Sequence, residues 1–201
     1  MINIRIEDII KKGEPFFVKK GEMIYQIGEQ IHTFYYIQKG FVKIAMDSFD
    51  GRTTTISLIG PSEFFGYFDS LRGQREYTKY AVALTDSFLY AFPLELLEDV
   101  TIRGTIIVDS IVQELTKAEQ LNLALSTMTV PERLRWLLLK LAKKKEGRMV
   151  IETPLTHEEM ANYLGCSRQK ISNFMSKWQK EGGLLNKDGV FVIVDIEKLQ
   201  Q

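Results

Sequence analysis

A chain of 201 residues, 45% hydrophobic and 26% charged, has the composition of a globular protein in one large or two small domains. No apolar run approaches the roughly 18 residues of a membrane span and MINIRIED is no signal peptide, so a cytoplasmic protein without a membrane partner is expected; the single cysteine, Cys166, rules out an internal disulfide framework. Net charge is zero but unevenly spread: residues 1–128 hold 13 basic and 17 acidic side chains (net −4), whereas residues 129–201 hold 13 and 9 (net +4), so only the C-terminal part favours a polyanion.

From Phe16 to about Phe92 the pattern is β. The runs FFVKK, MIYQI, FYYIQ, FVKIAM, TTTISLI and YAVAL are rich in β-branched and aromatic residues, with glycines between them at turn-like spacing. Many short strands of this kind predict a sandwich or small barrel, a jelly roll foremost. Within it DSFDGRTT reads as a hairpin, its Asp50-Gly51 pair suited to a tight turn.

From about Leu94 to Thr127 the pattern turns helical. Val108, Ile111, Leu115, Ala118, Asn122 and Leu125 step by alternating threes and fours, the spacing of a coiled-coil seam, so a dimer helix is expected; a helix packed on its own domain is the alternative. The third region opens with TVPERLRWLLLKLAKKKEG, where Pro131 suits a first helical turn and Gly147 a stop after a lysine-rich last turn. MVIE and VFVIV then suggest a small β-hairpin flanking a few helices. The division expected is 1–93, 94–128 and 129–201.

The stretch HEEMANYLGCSRQKISNFMSKWQKEGGL carries the most specific signal. Thr156 and Glu159 have capping-box spacing, Gly165 allows a turn, and Ser167 can cap a second helix. At about 100° per residue, Ile171, Phe174, Met175 and Trp178 share one side of that helix. Arg168, Gln169, Ser172, Asn173 and Ser176 share the other. Arg matches the guanine edge and Gln or Asn the adenine edge in the major groove, and a recognition helix presents its first residues to the bases. Arg168, Gln169 and Asn173 are therefore the candidate base readers. Ser167, Lys170, Ser172, Lys177 and Lys187 are candidate backbone contacts.

LGCSRQKISNFM resembles the recognition segment of the cyclic-AMP receptor / fumarate-nitrate regulator (CRP/FNR) family of bacterial transcription factors. FYYIQKGFVKI and GPSEFFGYF resemble its β-roll, and VPERL its hinge into the DNA-binding domain. The resemblance implies an α+β chain: an N-terminal β-roll (jelly-roll, cyclic-nucleotide-binding-like) domain, a long dimerisation helix, and a C-terminal winged helix-turn-helix domain. It implies a homodimer on an inverted-repeat operator in double-stranded DNA, with RNA polymerase as a further candidate partner.

The family's phosphate cassette is a Gly-Glu pair followed by Arg-Ser/Thr. Here it maps onto Gly66, Tyr67, Tyr77 and Thr78, so the glutamate and the arginine are both replaced by tyrosine. A cyclic-AMP response is not expected. Those four residues mark the candidate effector pocket, and Tyr35 and Tyr36 are further candidate lining residues. The protein is expected either to need no effector or to take an unidentified small one. One cysteine cannot hold an iron–sulfur cluster, no cofactor is expected, and Cys166 reads as a packing residue. With only His32 and His157, no cupin-type metal set is available, and no nucleophile elbow or phosphate loop is found, so an enzyme is not expected. The rival reading is a small-ligand-binding regulatory module that acts through protein contacts rather than DNA.

Overall fold

The computed structural model describes residues 5–151, 155–187 and 190–199. The chain divides into two compact units, Met1–Lys117 and Ala118–Gln201.

In the first unit a short helix, α1 (Ile6–Ile10), precedes two four-stranded antiparallel sheets. One sheet runs β1 (Glu14–Val18), β8 (Ser87–Pro93), β3 (Thr33–Lys39), β6 (Phe64–Phe65); the other runs β2 (Met23–Tyr25), β7 (Tyr80–Ala83), β4 (Val42–Asp47), β5 (Thr53–Ile59). The six runs read from sequence all carry strands. The expected hairpin joins β4 to β5, pairing Asp47 with Thr53, and Gly51 supplies its positive φ of 78°. A one-turn helix, α2 (Phe68–Leu71), follows β6.

Alternation along the strands builds two cores. From β3, Ile37 enters a cluster with Val18, Tyr25, Val42, Ile59, Phe65 and Leu89, drawn from both sheets. Its neighbours Phe34 and Tyr36 point the other way, joining Ile9, Tyr67, Phe92, Ile102 and Ile106. A strand buried on both faces loses the clean polar alternation of a half-exposed one. Ile102 and Ile106 come from the long helix α3 (Val100–Thr127), which covers that second core. The helix starts later than the expected Leu94: residues Leu94–Glu98 form a 3-10 turn, and the Asp99 carboxylate caps the amides of Thr101 (2.8 Å) and Ile102 (3.1 Å).

In the second unit, α4 (Val130–Leu141) has Pro131 in its first turn and a capping box between Thr129 and Glu132. The expected lysine-rich last turn is not helical. The helix stops at Leu141, and Lys143–Lys145 form β9, paired with β10 (Arg148–Ile151). Gly147 is the turn of that hairpin, with Glu146 (φ 48°) and Gly147 (φ 78°) both left-handed as a tight two-residue hairpin turn requires. Pairing with Arg148–Val150 therefore outweighs the ordinary helix propensity of lysine. After α5 (His157–Leu164) and α6 (Arg168–Lys180) come β11 (Leu184–Lys187) and β12 (Val190–Ile193). The two hairpins form one sheet in the order β11-β12-β10-β9, a larger wing than the single hairpin read from sequence.

Candidate nucleic-acid interface and the cavity of the roll

Local chemistry sets the α5–α6 corner. Thr156 and Glu159 form a reciprocal capping box, with Glu159 Oε2 accepting from the Thr156 amide at 2.7 Å. Gly165 ends α5 in the left-handed region (φ 62°), and the Ser167 hydroxyl caps α6 through the Lys170 amide. Ile171, Met175 and Trp178 are fully buried while Arg168, Gln169, Lys170 and Asn173 are exposed, as the helical spacing required.

The first turn of α6 holds no acidic residue, so the positive end of the helix dipole adds to Arg168 and Lys170. Gln169 Nε2 donates to Asn173 Oδ1 at 2.7 Å, one turn along. That bond uses one of Gln169's two amide hydrogens and leaves its carbonyl oxygen and the other hydrogen, the pair that adenine N6 and N7 match. Asn173 keeps both amide hydrogens and one lone pair on Oδ1, so it can donate to a thymine or guanine oxygen and can still meet an adenine edge.

Ser172 is half-buried, and its hydroxyl lies 2.9 Å from His157 Nδ1, clasping α6 to α5. Burial, and secondarily the charge of Arg168, holds the His157 pKa below its ordinary value. Lys177 is exposed and 4.0 Å from Glu181, while exposed Lys187 lies on β11 of the wing. Asn173, Ser176, Lys177, Lys180 and Glu181 line one shallow groove. Cys166 is half-buried; burial pushes its thiol up against the opposing pull of Arg133 and Lys170, which suits packing better than redox chemistry.

One residue was not legible in the sequence. Arg133 of α4 donates to three main-chain carbonyls: Met128 (3.0 Å), Leu164 (3.1 Å) and Leu125 (2.9 Å). It thereby satisfies the C-terminal ends of α3 and α5 together. Arg133→Met should destabilise this unit by on the order of 2–4 kcal/mol. Urea unfolding followed by tryptophan fluorescence reads this unit selectively, since Trp136 and Trp178 are the only two tryptophans. An unchanged midpoint would contradict the role.

In the roll, a cavity of about 150 Å³ is lined by both sheets, α2 and Glu114 of α3. Gly66 and Tyr77 border it. Gly66 is left-handed (φ 89°), and a Cβ there would sit 2.9 Å from the Tyr35 ring. Tyr77 stacks on Tyr25 (centroids 3.8 Å apart), and its hydroxyl donates to the Thr33 carbonyl at 2.7 Å. Tyr67 lies elsewhere: it is fully buried in the second core, edge-on to Phe34 and stacked on Phe68, because its side chain leaves the β6 end on the face toward α3. Burial pushes its phenol up to about 12. Tyr36 joins the same core, and Tyr35 packs against the first.

Thr78 does not border the cavity but serves Asp69, which does. The Asp69 carboxylate accepts from the Thr78 amide (2.8 Å), the Thr78 hydroxyl (2.9 Å), Lys79 (3.4 Å) and Arg72. Burial alone would raise this carboxyl, but the Thr78 amide, Arg72, the Thr78 hydroxyl and Lys79 together hold it below its usual value.

Residues 15–103 match the cyclic nucleotide-binding domain family, and residues 132–201 match the Crp-like helix-turn-helix domain family. The chain belongs to the CRP/FNR family of transcription regulators. It is 23% identical over 199 residues to the anaerobic regulatory protein of Haemophilus influenzae, covering 95% of this chain and 76% of that one. To the fumarate and nitrate reduction regulatory protein of Escherichia coli it is 24% identical over 207 residues, covering 98% and 80%. The structure of FixK2 from Bradyrhizobium japonicum shares the fold with a TM-score of 0.78 at 22% identity, over 93% of this chain and 95% of that one. This CRP/FNR regulator thus has a DNA-binding helix-turn-helix unit and a cyclic-nucleotide-binding-like roll, as its resemblance implied. No helix among the described residues is long and apolar enough to cross a membrane.

Proposed function

We propose that the protein works in the cytoplasm as a homodimer that reads an inverted-repeat operator with two α6 helices, one in each of two successive major-groove turns. The observation that carries this is the exposed, acid-free start of α6, where Arg168 and the paired amides of Gln169 and Asn173 stand in one row. Arg168 grips a guanine through O6 and N7, and Gln169 selects a neighbouring A·T pair. Ser167, Lys170, Lys177 and Lys187 hold phosphates, with the α6 dipole assisting. Ser172 acts through its clasp to His157 and only secondarily on the backbone.

The α3 seam supports dimerisation: Val108 (61% exposed), Ile111 (43%) and Leu115 (57%) of the expected seam, with Val112 (59%) beside them, leave an apolar stripe that no described residue of the chain covers. Residues 1–93 form the sensor, 94–128 the dimer helix and 129–201 the reader. DNA binding is either effector-independent or biased by a small molecule in the roll, which shifts the equilibrium between two spacings of the recognition helices. RNA polymerase is the partner through which a bound dimer would act on transcription.

Three lysines per protomer imply about six neutralised phosphates per dimer, hence a slope of log affinity on log salt of about −5. Lys177→Ala should weaken operator and random duplex alike and lessen the slope by about 2, one contact per protomer. Fluorescence anisotropy at graded salt measures both. A loss confined to the operator would refute the phosphate role, and the absence of salt-sensitive duplex binding in the parent would favour a protein-contact module instead.

A further inference from the structure

The cavity of the roll combines three features that together define a ligand. Its walls are apolar and aromatic, with Tyr25, Phe65, Phe68 and Tyr77 among them, and the stacked Tyr25–Tyr77 pair offers a ring face. Its volume, about 150 Å³, matches that of cavities known to hold benzene. Lastly, Ser57 borders it at 7% exposure, and its hydroxyl has no hydrogen-bond partner among the described residues. A buried hydroxyl left unpartnered is costly, so a ligand that meets it gains accordingly.

Charge decides the rest. The position where the fold would offer donors to an anion is already served from within: the amide and hydroxyl of Thr78, with Arg72 and Lys79, converge on the Asp69 carboxylate. Lys79, the one cation among the described lining residues, is thereby engaged. The other charged wall residue, Glu114, is acidic and bonds Lys117 at 2.7 Å. An incoming anion would meet two carboxylates and would find the Thr78, Arg72 and Lys79 donors already engaged by Asp69, with the neutral Ser57 hydroxyl left as a donor for a single polar group.

We infer that the roll binds a small uncharged molecule, mainly apolar and ring-sized with one hydrogen-bonding group, and that Asp69 acts as a built-in anion that bars phosphates and carboxylates from the site. This deepens the reading of the roll as a regulatory domain. It depends on that reading for its purpose, but not on any DNA contact.

The test uses the full chain, isotope-labelled, with phenol and toluene as uncharged probes of equal size, and with benzoate set against benzamide, its uncharged match in size, which should bind where benzoate does not. Amide and methyl shifts at Ile44, Ser57 and Ile59 report occupancy without DNA, so a failed operator selection leaves this result standing, and the reverse. Phenol should saturate these shifts, and toluene should do so more weakly, while benzoate and cyclic AMP should leave them unmoved. Ser57→Ala should weaken phenol about fivefold, one neutral hydrogen bond, and leave toluene unchanged. Asp69→Asn, its fold checked by circular dichroism, should admit benzoate. Should that variant fail to fold, the Ser57→Ala comparison of phenol with toluene still decides the polar contact. Benzoate binding the parent chain as well as phenol does, or neither ring binding a folded parent, would overturn the proposal.

Discussion

Replacing Leu115 with Glu should turn the dimer into monomers and abolish tight operator binding. Leu115 is more than half exposed in a single chain and lies in line with Val108, Ile111 and Val112. Burying a leucine side chain contributes about 1.5–3 kcal/mol, and the two-fold axis of a dimer presents the change twice, so roughly 3–6 kcal/mol is lost. That is on the order of 10²- to 10⁴-fold in the dimerisation constant. The two new carboxylates would also face each other across an apolar seam. Operator binding falls further, because a second half-site engages at high effective concentration only when the two readers are linked. Sedimentation equilibrium measures the first effect and anisotropy on an operator the second. A Leu115→Glu chain that stays dimeric would remove α3 as the seam. Asp109→Asn, an exposed change off that stripe, should leave the dimer intact.

The second large effect belongs to Arg168. Its alanine variant should lose about 1–3 kcal/mol per half-site on the operator and cease to discriminate at one base pair, while random duplex is affected far less. Both half-sites change together in a homodimer, so the operator loss is roughly double that figure. Gln169→Glu is the matching gain-of-specificity test. A carboxylate accepts from cytosine N4 and cannot donate to adenine N7, so preference at the neighbouring pair should move from A·T toward G·C. The exchange also removes the hydrogen bond that Gln169 Nε2 donates to Asn173 Oδ1. Unchanged base preference in either variant would place the reading elsewhere on the helix.

What could be read in advance follows the range of the interactions. The capping box of Thr156 and Glu159, the left-handed Gly165 and the Ser167 cap act within a few residues, so spacing alone exposes them. The buried Ile171, Met175 and Trp178 follow from helical period in the same way. The misreadings are non-local. Lys143–Lys145 look helical until β10 pairs with them, and β10 is itself held by β12. Tyr67 takes a pocket position in the family's cassette, yet the aromatic side chain is accommodated in the core under α3 instead. The role of Asp69 is not legible in the sequence because its partner Thr78 is nine residues away, and the carboxylate's donors converge only when α2 meets the segment leading into β7. Arg133 was hidden for a similar reason: two of its acceptors lie within eight residues, but the third, Leu164, is 31 away. Chemistry legible in the reading helix was thus chemistry carried by one element, whereas the character of the roll's cavity depends on side chains from several.

The most direct test of the account is selection of binding sites from random duplex DNA by the purified dimer, at low salt and with no effector added. The expected result is enrichment of an inverted repeat whose half-sites lie one helical turn apart, each with a guanine beside an A·T pair, and loss of that guanine preference with Arg168→Ala. A folded dimer that retains duplex without enriching any symmetric sequence, or that enriches the same repeat after Arg168→Ala, would contradict it.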